Sequence, residues 1–309
     1  MHNELLHIGP ITIYGYGLMM AVGIVAAFLV AMKRAKKYGT DEDTVFYLGI
    51  WAGIGGLVGA KVMYWIVELP TYLANPKLFL NVADGFVVYG GIVLGIFTGW
   101  LYTRRKHLNF FKMFDLVMPS IALAQAFGRI GCFLAGCCYG KETASACHIV
   151  FRNSQFAPNN VKLIPTQLMS SALNFLHFGV LLGFARKKRY DGQVGSLYLI
   201  LYSIGRFAME YFRGDPRGSV WLFSTSQFIA IFTLIAGVVL YRMCTVRGAI
   251  AEADAEYEAE KAAAETKDTD DADKTADEAE AEPADKTAPS EETSEEADHT
   301  EETADKPES

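Results

Sequence analysis

Acidic side chains are scarce in the first 250 residues of this 309-residue chain. Residues 1–250 hold 11 of the 35 Asp+Glu but 23 of the 28 Lys+Arg, a net charge of +12. The remaining residues lack the opposite things: basic groups are few, aromatic rings are almost absent, and the net charge is −19. Such a segment cannot bury enough apolar surface to fold alone. This excludes a second globular domain and leaves an acidic, low-complexity, disordered tail over 248–309. No unit of fixed period recurs, which excludes a repeat architecture. Residues 1–9 carry no basic leader, and the apolar run after them is too long for a signal-peptide core, so that run is expected to be retained.

Long runs poor in charge are what the first part has in abundance. A span takes roughly 20 mostly apolar residues, and seven stretches qualify: 11–32, 44–67, 85–103, 112–139, 164–185, 193–212 and 219–241. The basic clusters at 33–37, 104–107 and 186–189 fall in alternate loops, after spans one, three and five. The positive-inside rule places all three in the cytoplasm. The expected fold is therefore all-α, a polytopic membrane bundle of seven transmembrane helices over 1–247. Its N-terminus is outside, its C-terminus is cytoplasmic, and it has an extracytoplasmic loop at about 141–163. No nucleic-acid partner is expected.

Charges inside such spans are costly and point to function or pairing. The run "GRIGCFLAGCCYG" at 128–140 places Arg129 and three cysteines in the fourth span. At about 1.5 Å per helical residue, Arg129 and Arg206 both lie in the outer half of their spans. Tyr14, Tyr16, Lys61 and Tyr89 come from other spans at similar depth, which suggests a site in the outer leaflet. Guanidinium matches phosphate in bidentate geometry, so a phospholipid headgroup is the candidate ligand. Arg129 has no acid within one helical turn, which favours ligand contact. Arg206 has Glu210 at i+4, so internal pairing competes with ligand contact there. Tyr202, Arg206, Glu210 and Arg213 follow at spacings of 4, 4 and 3 as one polar ridge. Gly90 and Gly91 beside Tyr89 suit close helix packing or close approach of a headgroup.

The cysteines keep several readings open. Cys132, Cys137, Cys138 and Cys147 map near the outer face, where disulfides are permitted. The spacing C-x4-C-C-x8-C is not a good zinc signature, so no metal or other cofactor is expected. Cys132 reads as small-residue packing, while a disulfide from Cys147 to Cys137 or Cys138 stays open, as does a thiol nucleophile. Cys244, on the cytoplasmic side, reads as reduced and inert, and His177 as a satisfied interior residue.

Four motifs then occur in a telling order: "YGLM" at 16–19, Tyr89-Gly90-Gly91, Gly-Arg-Ile-Gly at 128–131, and "LYSIGRFAMEYFR" at 201–213. Over about residues 1–245 the chain resembles the prolipoprotein diacylglyceryl transferases of the bacterial inner membrane. The resemblance implies transfer of a diacylglyceryl group from phosphatidylglycerol to the lipobox cysteine of a prolipoprotein signal peptide, releasing glycerol 1-phosphate. It implies catalytic roles for Arg129 and Arg206, with Tyr16, Gly90, Gly91, Tyr202, Glu210 and Arg213 in binding the lipid. Three positions depart from the family pattern: Tyr89 stands where it has His, Cys132 where it has Asn, and Cys137 where it has Glu. An ordinary Tyr, with pKa about 10, is a poor base beside a His near 6.5, so Tyr89, placed with the two arginines in the expected catalytic set, is expected to act there by orienting the headgroup. Two rival readings remain: a same-fold protein that binds an anionic lipid without transfer, and a membrane thiol–disulfide enzyme using Cys137, Cys138 and Cys147.

Overall fold

The elements begin and end where local chemistry dictates. The computed structural model describes residues 4–8, 11–77, 85–215, 218–220 and 222–279. Its first helix, α1 (Gly15–Ala35), ends in a short 3-10 turn closed by Gly39 at φ 63°. The next, α2 (Glu42–Val67), starts at Asp41, whose carboxylate accepts from the Thr44 N–H at 2.9 Å, with Glu42 and Asp43 in the positive first turn. A short α3 (Leu69–Ala74) follows, and then α4 (Val88–Arg105). The Asn109 side chain caps α5 (Phe110–Ala135), and Gly136 at φ 75° terminates it. The remaining helices are α6 (Thr166–Phe184), α7 (Gln193–Glu210) and α8 (Thr225–Ala279).

Seven long helices thus overlie the seven expected spans. Five of them, α1, α2, α5, α6 and α8, are long and apolar enough to cross a membrane by length and composition. The other two, α4 and α7, have 18 residues each. Large apolar side chains point away from the bundle: Leu57, Val93 and Leu176 are 62–67 % exposed. A surface of that kind suits lipid, not water. Small residues form the internal seams. A Cβ on Gly91 of α4 would lie 2.8 Å from the Gly56 carbonyl oxygen of α2, and Gly59 and Gly90 press together in the same seam.

Short strands replace helix or loop at three places. Residues 11–14, "ITIY", form β2 (Ile11–Tyr14), paired antiparallel with β1 (Glu4–Ile8), so the first helix starts at Gly15 and not at 11. Alternating β-branched and aromatic residues favour the extended form there. The loop at 141–163 carries β3 (Ile149–Val150) and β4 (Lys162–Leu163) and buries Phe151, Ala157 and Leu163 against Phe133 and Tyr139. It has a small core of its own. Before the last helix, β5 (Ser219–Val220) pairs with β6 (Phe223–Ser224). The acidic extension also differs from a wholly disordered tail, because α8 runs on to Ala279. Ala, Glu and Lys are strong helix formers. Residues 280–309 of the expected tail lie outside the described ones.

One buried anion ties the helices together at the end of the bundle that carries the basic loops. Asp115, fully buried in α5, accepts from the N–H groups of Gly192 and Gly195 at 2.9 and 2.8 Å, and Lys188 stands 2.8 Å away. A side chain of α5 therefore caps the N-terminus of α7. Burial by itself would lower the Lys188 ammonium, but hydrogen bonds to Asp115 and Asp191 outweigh it and hold the ammonium above its ordinary range. Pro119, inside α5, has no N–H for the Asp115 carbonyl. Arg34 of α1 serves that region instead, donating to the carbonyls of Leu116 at 2.6 Å and Asp115 at 3.5 Å.

Removing one partner of such a buried pair costs about 3–5 kcal/mol. Asp115→Ala is expected to lose that much in denaturation of the detergent-solubilised protein. Asp191→Ala removes a partner that is 36 % exposed and is expected to cost under about 1 kcal/mol. Equal losses in the two variants would contradict the assignment of Asp115 as the buried lock.

Candidate functional site

Helix α5 carries the site on its last turns and on the segment just beyond. Gly128 and Gly131 flank Arg129 and face α1. A Cβ on Gly128 would lie 3.3 Å from Met20 Sδ, and one on Gly131 would lie 3.2 Å from both Tyr16 Cδ2 and the Tyr16 carbonyl oxygen. The two glycines let α1 come close, which sets Tyr16 in the electrostatic neighbourhood of Arg129, Cys132, Cys137 and Cys138. Arg129 itself is half-buried and makes no hydrogen bond or ion pair among the described residues. It is a cation set on the last turns of its helix with no neutralising acid among the described residues.

Arg206 is different. Its Nη1 stands 2.9 Å from Glu210 Oε2, and its Nη2 donates to Ser226 Oγ of α8 at 2.6 Å. The i+4 pairing legible in the sequence is formed, so this guanidinium is largely neutralised from within. The expected single ridge on α7 divides into separate parts. Tyr202 stacks on Tyr198 with ring centroids 5.7 Å apart, in an apolar cluster with Leu181 and Val194. Arg213, past the end of the helix, takes Asp215 in a two-pronged bond, Nε to Oδ1 and Nη2 to Oδ2, both 2.9 Å. Its charge also acts on the nearby Cys138 thiol.

The thiols converge. Cys132 lies on α5, while Cys137 and Cys138 follow the reversal at Gly136, and the three sulfurs lie within 4.8 Å of one another. The first turn of α6 holds this segment: Thr166 Oγ1 donates to the Cys138 carbonyl at 3.1 Å, and Gln167 Nε2 to the Cys137 carbonyl at 3.0 Å. Cys138 has φ 60°, an uncommon conformation for a residue with a side chain. None of the five cysteines is in a disulfide, and exposed Cys147 stands outside the cluster, so the bridge considered from the sequence is not formed. Its partner candidates face Cys132 instead, because the Gly136 turn folds them back onto α5.

The remaining expected residues sit on the α2–α4 pair. Tyr89 begins α4, 45 % exposed, and makes no hydrogen bond among the described residues. Gly90 and Gly91 are occupied by the α2 seam, which is the packing role considered for them. Lys61 is buried over the rings of Tyr64, Trp65 and Phe86 at 5.3, 5.8 and 5.4 Å. His177 is buried on α6 with Nδ1 unpartnered among the described residues, so it is interior but not satisfied. Sequence reasoning passed over Thr166, Gln167, Asp215 and Ser226. The Arg-Gly-Asp spacing could have signalled Asp215; the others are non-local partners.

Known proteins match this arrangement along most of its length. The family model described as prolipoprotein diacylglyceryl transferase matches residues 3–243. A phosphatidylglycerol–prolipoprotein diacylglyceryl transferase of Clostridium tetani is 48 % identical over 243 residues, covering 79 % of this chain and 98 % of that protein. One numbered 2 from Clostridium perfringens is 46 % identical, covering 76 % and 93 %. The Clostridioides difficile protein of the same name is 37 % identical, covering 75 % and 90 %. With its apolar helices, its Gly-Arg-Ile-Gly turn of α5 and relatives at this identity, the chain belongs to the prolipoprotein diacylglyceryl transferase family.

Proposed function

We propose that this protein transfers the diacylglyceryl group of phosphatidylglycerol to the lipobox cysteine of a prolipoprotein signal peptide, releasing glycerol 1-phosphate. The observation that carries the reading is Arg129, a half-buried guanidinium with no partner among the described residues. The family membership and the names of the relatives support the same reaction. The protein crosses the bacterial inner membrane seven times, with its N-terminus outside and the acidic segment in the cytoplasm. The basic loops at one end of the bundle support that orientation.

The residues divide the work according to their charge balance. Arg129 binds the lipid phosphate and stabilises the charge that grows on it as the carbon–oxygen bond breaks. Arg206, balanced by Glu210 and Ser226, contributes a second, weaker contact to the same headgroup. Tyr16 lines the lipid site beside Arg129, and Arg213 holds its outer edge. Tyr202 and the Gly90–Gly91 seam shape the surrounding walls. Tyr89 orients the headgroup and is no base.

A transfer assay with purified protein, phosphatidylglycerol and a lipobox peptide tests this reading. Diacylglyceryl-peptide and glycerol phosphate are expected together. Arg129→Gln is expected to lower the rate by about 100-fold or more, the loss typical of removing a group that stabilises developing charge. Arg206→Gln is expected to lose less, about tenfold, because its charge is already partly cancelled. Phosphatidylglycerol binding without either product would instead make the protein a lipid binder of the same fold.

The role of position 89 has its own readout. Tyr89→Phe removes one hydrogen bond, about 1 kcal/mol, and is expected to slow transfer by less than about tenfold. In Tyr89→His the pH–rate profile is expected to gain no new low-pH limb. Appearance of such a limb would mean that a base acts from this position.

A further inference from the structure

We propose that Cys132, Cys137 and Cys138 hold a zinc ion whose fourth position is kept for the thiol of the incoming protein substrate. Three sulfurs within 4.8 Å of one another already approach the arrangement needed. At a zinc–sulfur distance of about 2.3 Å, three thiolates stand about 3.8 Å apart, so modest rotations of the side chains close the site. Among the described residues no fourth Cys, His, Asp or Glu joins the group. Zinc sites with four protein ligands are structural, whereas three protein ligands and an open position mark sites that bind a substrate.

The surroundings favour this ion and this use. Three thiolates and one zinc carry a net charge of −1. Arg129 lies one helical turn before Cys132 without an acid partner among the described residues, a cation close to the three thiols. The backbone of the ligand pair is held from behind by Thr166 and Gln167, the kind of outer support that fixes metal ligands. The turn at Gly136 and the positive φ of Cys138 are what bring residues 137 and 138 back toward residue 132.

The role of the open position rests on the proposed transfer reaction; the ion site does not. A thiol bound to zinc is deprotonated, and its proton passes to solvent. The sulfur then attacks the glycerol carbon that carries the phosphate. A carbon–sulfur bond forms, and the carbon–oxygen bond breaks with its electron pair on the departing phosphate, which Arg129 faces. Zinc stays divalent throughout, and the product thioether, neutral and a weaker ligand, leaves. This supplies the thiolate that Tyr89 cannot generate.

The test uses the full chain in detergent, reduced and stripped with a chelator, then titrated with zinc or cobalt(II). One metal per chain is expected, with a thiolate-to-cobalt charge-transfer band. A lipobox peptide is expected to alter that band, and its cysteine-to-serine analogue to leave it unchanged. Cys137→Ser is expected to weaken zinc binding by more than roughly 100-fold, beyond the usual loss for a supporting residue. Retained phosphatidylglycerol binding shows that this variant is folded, and the wild-type titrations stand without it. Failure to bind either metal at one per chain, a band indifferent to the cysteine peptide, a disulfide within the trio of the active protein, or full transfer by the metal-free protein would each overturn the proposal. A band that responds to the cysteine peptide, with transfer absent in every metal state, would support the site and count against the proposed function instead.

Discussion

A single carboxylate, Asp115, sets the level of the rest. It is an anion with no access to water, and its lone pairs are filled by Lys188 and by the first N–H groups of α7. Such a group is tolerated only in the geometry that satisfies it, so it permits one register between α5 and α7. Counting from this shared point, Arg129 is 14 residues along α5 and Arg206 is 14 residues beyond Gly192 along α7. Each run rises about 21 Å. Each arginine therefore lies about four turns along its own helix from the shared anchor.

Equal distance along the helix does not make the arginines equal. Arg206 spends its charge on Glu210 and its remaining donor on Ser226, while Arg129 is positioned by two flanking glycines that touch α1. One cation is left without a neutralising acid among the described residues and the other is balanced from within, so in the proposed reaction the first carries most of the charge stabilisation. The thiol cluster lies about one helical turn from Arg129, its backbone held by the opening turn of α6.

How much of this could be read in advance depends on how local the cause was. Apolar length located every long helix, because a span needs its own run of residues. Pairing of Arg206 with Glu210 was legible for the same reason, both groups lying on one helix face. Helix ends were less legible. The β-branched "ITIY" reads as apolar length but pairs as strand, and the polar loop at 141–163 hides a core made by Phe133 and Phe151. Asp115 and Gly192 lie far apart in the chain, with nothing periodic to connect them. The cysteines illustrate the limit best. The spacing of residues 132, 137 and 138 resembles no metal motif along a line, and only a chain reversal at Gly136 makes them neighbours.

Pro119 carries a consequence for how this sequence can drift. By withholding an N–H it frees a carbonyl in α5, and Arg34 of α1 occupies that region. The two residues are thus epistatic across distant parts of the chain. Losing Arg34 strands polar backbone in an apolar setting while Pro119 remains, yet is far milder once the proline has given way to a residue that restores the helical bond. The permitted order of substitution is therefore proline first and arginine second.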